Sequence, residues 1–181
     1  QSLYLQTIRK SSAHLLALIN DVLDFSKIDA GKLELETAAF DLEEAIFDVM
    51  DMLSPLAAQK HIDMAFYYAD SVPKHVIGDA LRFKQILTNL ISNAIKFTPD
   101  GEIIVRARME HEGIDRCVLH FSVQDSGIGL SGTDRKKLFE SFSQGDTSVT
   151  RQFGGTGLGL AISKQLVSLM HGQIGFEDNQ E

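Results

Sequence analysis

Val118-Leu119-His120-Phe121-Ser122-Val123-Gln124-Asp125-Ser126-Gly127-Ile128-Gly129 joins a strand-like run to an acidic, glycine-rich turn. Its first half is an apolar, β-prone run and its second an acid followed by two glycines, so a strand ends in a turn able to approach a ligand closely. About two dozen residues on, Gly154-Gly155-Thr156-Gly157-Leu158-Gly159-Leu160 forms a second glycine-rich loop, which runs straight into an apolar-periodic, helix-forming stretch over 160–170. Successive N–H groups of such loops converge on anions, and those at a helix N-terminus gain from the macrodipole. Either loop alone also reads as an ordinary surface turn. Together they point to a nucleotide.

Two familiar nucleotide folds do not fit. Gly127-Ile128-Gly129-Leu130-Ser131-Gly132 matches G-x-G-x-x-G after a strand, but a dinucleotide fold needs a second strand ending in an acid roughly twenty positions on. That region reads Thr147-Ser148-Val149-Thr150-Arg151-Gln152-Phe153, polar and followed by more glycine. No G-x-x-x-x-G-K-[ST] string occurs, which disfavours a P-loop.

A third feature lies upstream. The spacing predicts one helix over 79–97, with Asp79 as N-cap and Ile86, Leu87, Leu90, Ile91, Ala94 and Ile95 as its core face. Beside that stripe Gln85, Asn89 and Asn93 stand four apart on one line, with Lys96 beyond. Amide oxygens and an ammonium in a row suit a hydrated Mg²⁺ and its phosphates. A solvated helix flank is the plainer alternative.

These residues resemble the ATP-binding domain of sensor histidine kinases, within the group that includes the gyrase, Hsp90 and MutL ATPases. Asn89-Leu90-Ile91-Ser92-Asn93-Ala94-Ile95-Lys96-Phe97-Thr98 is similar to the family's N box and 125–129 to its G1 box. Leu138-Phe139-Glu140-Ser141-Phe142 is similar to the F box and 155–160 to the G2 box, all in the family's order. Upstream, 14–28 with Gly31-Lys32-Leu33 resembles the second helix of the dimerisation and phosphoacceptor domain, in wording nearest to hybrid kinases of the BarA/GacS type.

The resemblance implies phosphoryl transfer from MgATP to a histidine. It assigns Asn93 to Mg²⁺, with Asn89 beside it directly or through water, Lys96 to the phosphates and Phe97 to the border of the pocket. Asp125 would accept from the adenine amine, with Gly127 and Gly129 leaving room for the base. Gly155, Thr156, Gly157, Leu158 and Gly159 would hold the phosphates. A lid over 131–152 would carry Phe139 and Phe142, and Arg151 would reach the γ-phosphate or the acceptor helix. Hydrolytic relatives place a general-base Glu where this chain has Asn89, and an amide cannot take a proton from water, so the kinase is favoured over the hydrolase. A non-catalytic nucleotide-binding regulatory or docking module is the alternative.

The family's acceptor box, Ser-His-Glu-x-Arg-x-Pro, does not occur. His111-Glu112 is a chance pair expected in a turn, and His14 falls on the second bundle helix, where an interfacial or solvated role is expected. The chain is therefore expected to start after the acceptor helix and to lack the family's closing strand. The implied partners are ATP, the acceptor helix of the same kinase, a receiver domain of a response regulator and a second copy in the full-length homodimer. The implied location is the cytoplasmic side, with the full-length protein anchored in a bacterial inner membrane.

Periodicity supplies the rest. Residues 3–25 read as a helix whose apolar stripe is wide enough to need a bundle, followed by a short extended run over 32–36 and a helix from an Asp41 N-cap to about residue 58. Strands are expected at 62–68, 103–109, 117–123 and 173–176, with a hairpin connection over 110–116. The fold class is α+β, a two-layer α/β sandwich preceded by one long bundle helix, divided as 1–30 and 31–181. A net charge of −8, with no basic run, argues against nucleic acid and anionic membrane. The single cysteine, Cys117, excludes a disulfide framework and is expected as a small core residue.

Overall fold

The computed structural model describes residues 2–113, 116–130, 138–139 and 157–178. The chain divides into two compact units, Gln1–Glu34 with Thr133–Gln173, and Leu35–Gly132 with Ile174–Glu181.

The second unit carries the sheet. Strand β1 (Ala38–Asp41) leads into helix α2 (Leu42–Ala58), then β2 (Ile62–Tyr68), β3 (His75–Gly78), α3 (Ala80–Phe97), β4 (Gly101–Glu112) and β5 (Cys117–Asp125). β2 and β4 are parallel and joined through α3, while β4 and β5 form an antiparallel hairpin in which Val105 faces Val123. That is the mixed sheet with one hairpin that the pattern of elements called for. β1 and β3 make a separate antiparallel pair that periodicity missed. Four residues each are too few to show a period.

Both long helices start as their caps dictate. Asp41 accepts from the Glu44 N–H at 3.0 Å. Asp79 accepts from the Arg82 N–H at 2.9 Å and, through its other oxygen, from the Glu36 N–H at 3.0 Å, so one buried carboxylate starts α3 and anchors the segment before β1. The inward face of β4, Ile103, Val105 and Ala107, is closed over by Ile46, Val49 and Leu53 of α2 and Leu87, Ile91 and Ile95 of α3. Phe83 bridges the helices to the sheet edge, 6.1 Å from the Phe40 ring and 5.0 Å from that of Phe121. Helices thus cover one face of the three-stranded sheet.

The first unit pairs helix α1 (Ser2–Asp29) with helix α4 (Gly159–Leu169). α1 runs beyond the expected 3–25 at both ends. Its Leu15, Leu16, Ile19, Val22 and Leu23 are all exposed.

Three expectations are corrected. Residues 172–178 form no strand, because they enter no ladder, and a strand exists only through its pairing. The run over 32–36 enters no ladder, and pairing begins only at Ala38, opposite Gly78. Cys117 is exposed, since it opens β5 beside the hairpin turn, opposite Glu112. His111 and Glu112 lie in β4 opposite Val118 and Cys117, the hairpin turn being closed later by the Gly113 N–H donating to Arg116 O at 2.7 Å.

Candidate functional site

In the second unit the candidates gather where α3 ends and β5 ends. β5 delivers Asp125 to the rim of the sheet, and its Oδ1 accepts from the Gly127 N–H at 2.9 Å, which folds the chain back in a side-chain turn. The next N–H, of Ile128, donates to Phe97 O at 3.2 Å, the last carbonyl of α3. Ser126 locks the loop from the other side. Its N–H donates to Glu102 O at 3.1 Å and its Oγ accepts from the Glu102 N–H at 2.9 Å.

This packing explains the glycines. A Cβ built on Gly127 would lie 2.5 Å from Phe97 O and 2.7 Å from Asp125 Oδ1, closer than real contacts allow. Gly129 needs its glycine for a different reason: its φ is +71°, and nothing lies within 4 Å of where a Cβ would be. The loop is therefore tight on its α3 side and open at its second glycine. A flat ligand can use that opening.

On α3, Asn89, Asn93, Lys96 and Phe97 are all half-buried on one flank. Gln85, the first of the amide line, accepts from Arg82 Nη1 at 2.7 Å and so stabilises the helix itself. Lys96 Nζ sits over the Phe97 ring, 4.8 Å from its centre, and burial pulls its pKa down from the ordinary lysine range. A desolvated ammonium of this kind gains from an anionic ligand. The oxygen and ammonium groups fit Mg²⁺ with phosphate better than they fit a bare metal cage, and no cluster of three or more His, Cys, Asp or Glu side chains able to hold a metal occurs among the described residues.

Gly157, Leu158 and Gly159 belong to the first unit. Gly157 has φ +69°, and Leu158 is the N-cap of α4 but has no side chain able to cap it. A helix start without a side-chain cap from its own N-cap residue suits an anionic ligand. Gly155, Thr156, Phe142 and Arg151 lie outside the described residues. Phe139 is described and lines a cavity of about 570 Å³ with Ile28, Lys164 and Gln165.

Sequence reasoning missed Lys60. Its Nζ donates to Ile95 O at 2.6 Å, Lys96 O at 3.0 Å and Thr98 O at 3.3 Å, across 35, 36 and 38 positions of sequence. No local pattern signals such a contact. It also missed Ser126, which stood inside the quoted motif without a role.

The family described as histidine kinase-, DNA gyrase B- and HSP90-like ATPase matches residues 78–181. The sensor histidine kinase GacS of Pseudomonas protegens is 51% identical over 174 residues, covering 96% of this chain and 19% of that protein. This chain thus spans about a fifth of the length of such relatives. Full-length ShkA in complex with AMPPNP superposes with a TM-score of 0.77 at 37% identity, over 94% of this chain and 34% of that one. Histidine kinase ThkA in complex with the response regulator TrrA gives 0.64 at 26%, over 93% and 44%. The similarity to GacS agrees with the BarA/GacS wording of the sequence. The chain belongs to the histidine kinase-, DNA gyrase B- and HSP90-like ATPases, as an ATP-binding domain of the sensor histidine kinase branch.

Proposed function

We propose that this chain is the MgATP-binding catalytic part of a sensor histidine kinase and passes the γ-phosphoryl group to a histidine on an acceptor helix. Residues 31–181 act as the catalytic domain and 1–30 as the second helix of the dimerisation domain. The observation that carries this reading is the loop 125–129 pinned to the end of α3 by the Ile128–Phe97 hydrogen bond, which sets an acid, two glycines and Lys96 side by side in one unit. It is supported by the similarity to GacS and to the AMPPNP complex of ShkA.

In this reading each group does one job. Asp125, already turned by its bond to Gly127, accepts from the adenine amine, and Gly129 leaves the base its opening. Phe97 borders the base, and Lys96 meets the phosphates. Asn93, with Asn89 beside it, supplies neutral oxygens to Mg²⁺, which neutralises charge on the transferring group. Gly155, Thr156, Gly157, Leu158 and Gly159 hold the phosphates, and Phe139, Phe142 and Arg151 belong to the lid. Asn89 offers no base to activate water, so the γ-phosphoryl group waits for a histidine.

The partners follow from the same reading. The exposed apolar face of α1, with Leu15, Ile19 and Val22, supports a bundle with a second copy and with the acceptor helix. A receiver domain is the expected recipient of the phosphoryl group, as the ThkA complex with a response regulator suggests by analogy. Among the described residues no helix is long and apolar enough to cross a membrane. The proposed location is the cytoplasmic side of a membrane-anchored kinase.

Labelled ATP tests the proposal. Incubated alone, the chain should take up no acid-labile phosphate. With a dimeric protein that supplies the acceptor helix, label should appear on that helix's histidine, and His14→Ala should not change it. Label on His14, or none on the acceptor helix despite ATP binding, would refute the reading.

A further inference from the structure

We infer that Lys60 is a positioning residue for the nucleotide site, setting Lys96 and Phe97 through the end of α3 without touching the ligand. The inference rests on the nucleotide reading above. An α-helix leaves its last four carbonyls without helical partners. At the end of α3 the C-cap Thr98 N–H makes the last helical bond, to Ala94 O at 3.0 Å; beyond it Ile95 O and Lys96 O take Lys60 Nζ at 2.6 and 3.0 Å, and Phe97 O takes the Ile128 N–H at 3.2 Å. The same ammonium reaches Thr98 O at 3.3 Å, so its three donors span the last turn and the residue after it.

Two consequences follow from that geometry. The carbonyls of Ile95 and Lys96 point at a positive charge where the helix dipole favours one, so the last turn keeps its α form up to Phe97. Lys96 and Phe97, whose side chains meet at 4.8 Å, therefore leave the helix from a backbone fixed at the carbonyl of each neighbour. The loop 125–129 hangs on the same turn through Phe97 O. Without Lys60 the turn would loosen, and Lys96, Phe97 and the Asp125 loop would lose their common reference.

Lys60 comes from the segment after α2, outside every glycine or asparagine motif of the site. It is held by charge-assisted hydrogen bonds, roughly twice as strong as neutral ones. A hydrophobic side chain of similar length cannot replace them.

The test measures MgADP affinity by calorimetry for the whole chain, for Lys60→Met and for Val49→Ala, a cavity-forming change in the α2 core. Lys60→Met should bind about tenfold more weakly, whereas Val49→Ala, similarly destabilised, should stay within about twofold of the parent. Lys60→Arg, which keeps a charged donor, should recover part of the loss. Parent-like affinity in Lys60→Met, or equal weakening in Val49→Ala, overturns the inference while leaving the nucleotide reading standing. No binding by the parent overturns both. Should Lys60→Met not fold, the unaltered chain decides by side-chain NMR. The Lys60 ammonium protons should be slow to exchange and should shift when MgADP is added, and an unperturbed Lys60 signal overturns the inference.

Discussion

Replacing Gly127 by alanine tests whether the loop 125–129 is held as tightly as its hydrogen bonds imply. Gly127 does not have a positive φ, so alanine costs it no backbone strain and, through the unfolded chain alone, would stabilise by about 0.4–1 kcal/mol. The structure sets the opposite sign. The added methyl would stand 2.5 Å from Phe97 O, which is backbone and already accepts from Ile128, and 2.7 Å from Asp125 Oδ1, which already accepts from residue 127. Neither oxygen can retreat without stretching its bond. Overpacking costs about 1–3 kcal/mol and a weakened hydrogen bond adds roughly 1 kcal/mol, so after the gain through the unfolded chain the net loss should be about 1–3.5 kcal/mol. Urea unfolding measures it, and for a chain of this size the melting temperature should fall roughly 2–14 °C. Gly129→Ala is the internal control. It meets no atom but must hold φ +71°, for about 1–2 kcal/mol, and Gly129→Asn should recover part of that because Asn tolerates the left-handed region. Gly127→Ala as stable as the parent, or less costly than Gly129→Ala, would refute the packing argument.

Three further outcomes are expected. MgATP at about 100 times its dissociation constant should stabilise the chain by roughly 2.7 kcal/mol, with Asp125→Asn losing most of the effect and GTP giving little, and equal thermal shifts with ATP and GTP would remove the adenine role of Asp125. Asn93→Ala should leave binding in EDTA nearly unchanged while abolishing the affinity that Mg²⁺ adds, as calorimetry with and without the ion would reveal. The Asp41 carboxyl is held below the ordinary aspartate value of 3.8, first by the Glu44 N–H and then by Lys74, so its contribution is complete above that pH and disappears as pH falls through the lowered value. The stability gap between the parent and Asp41→Ala, followed by urea unfolding, should accordingly narrow below about pH 4, and a gap that stays constant into acid would contradict the assignment.

What could be read from the sequence was whatever is encoded within one turn of helix or one strand. The Asp41 and Asp79 caps, the core face of α3 and the strand 62–68 come from patterns a few residues long, where local chemistry and tertiary packing agree. The Asp125 loop was legible too, because acid and glycines sit side by side. Elements that exist only through a distant partner were not. β1 and β3 are four residues each, and their pairing joins Ala38 to Gly78 across the whole of α2 and β2. Residues 173–176 alternate like a strand but find no ladder, so the pattern was present without its structural cause. Lys60 is the sharpest case, since in the sequence it is one basic residue after a helix, a place where lysine is unremarkable. Its three acceptors are 35 to 38 positions away, and they matter only because α3 returns its C-terminus to the point where α2 ended. The nucleotide motifs name the groups proposed to face a ligand. What holds those groups at a fixed spacing is a contact between segments with no motif in common, which is why the geometry of a site is harder to read than its chemistry.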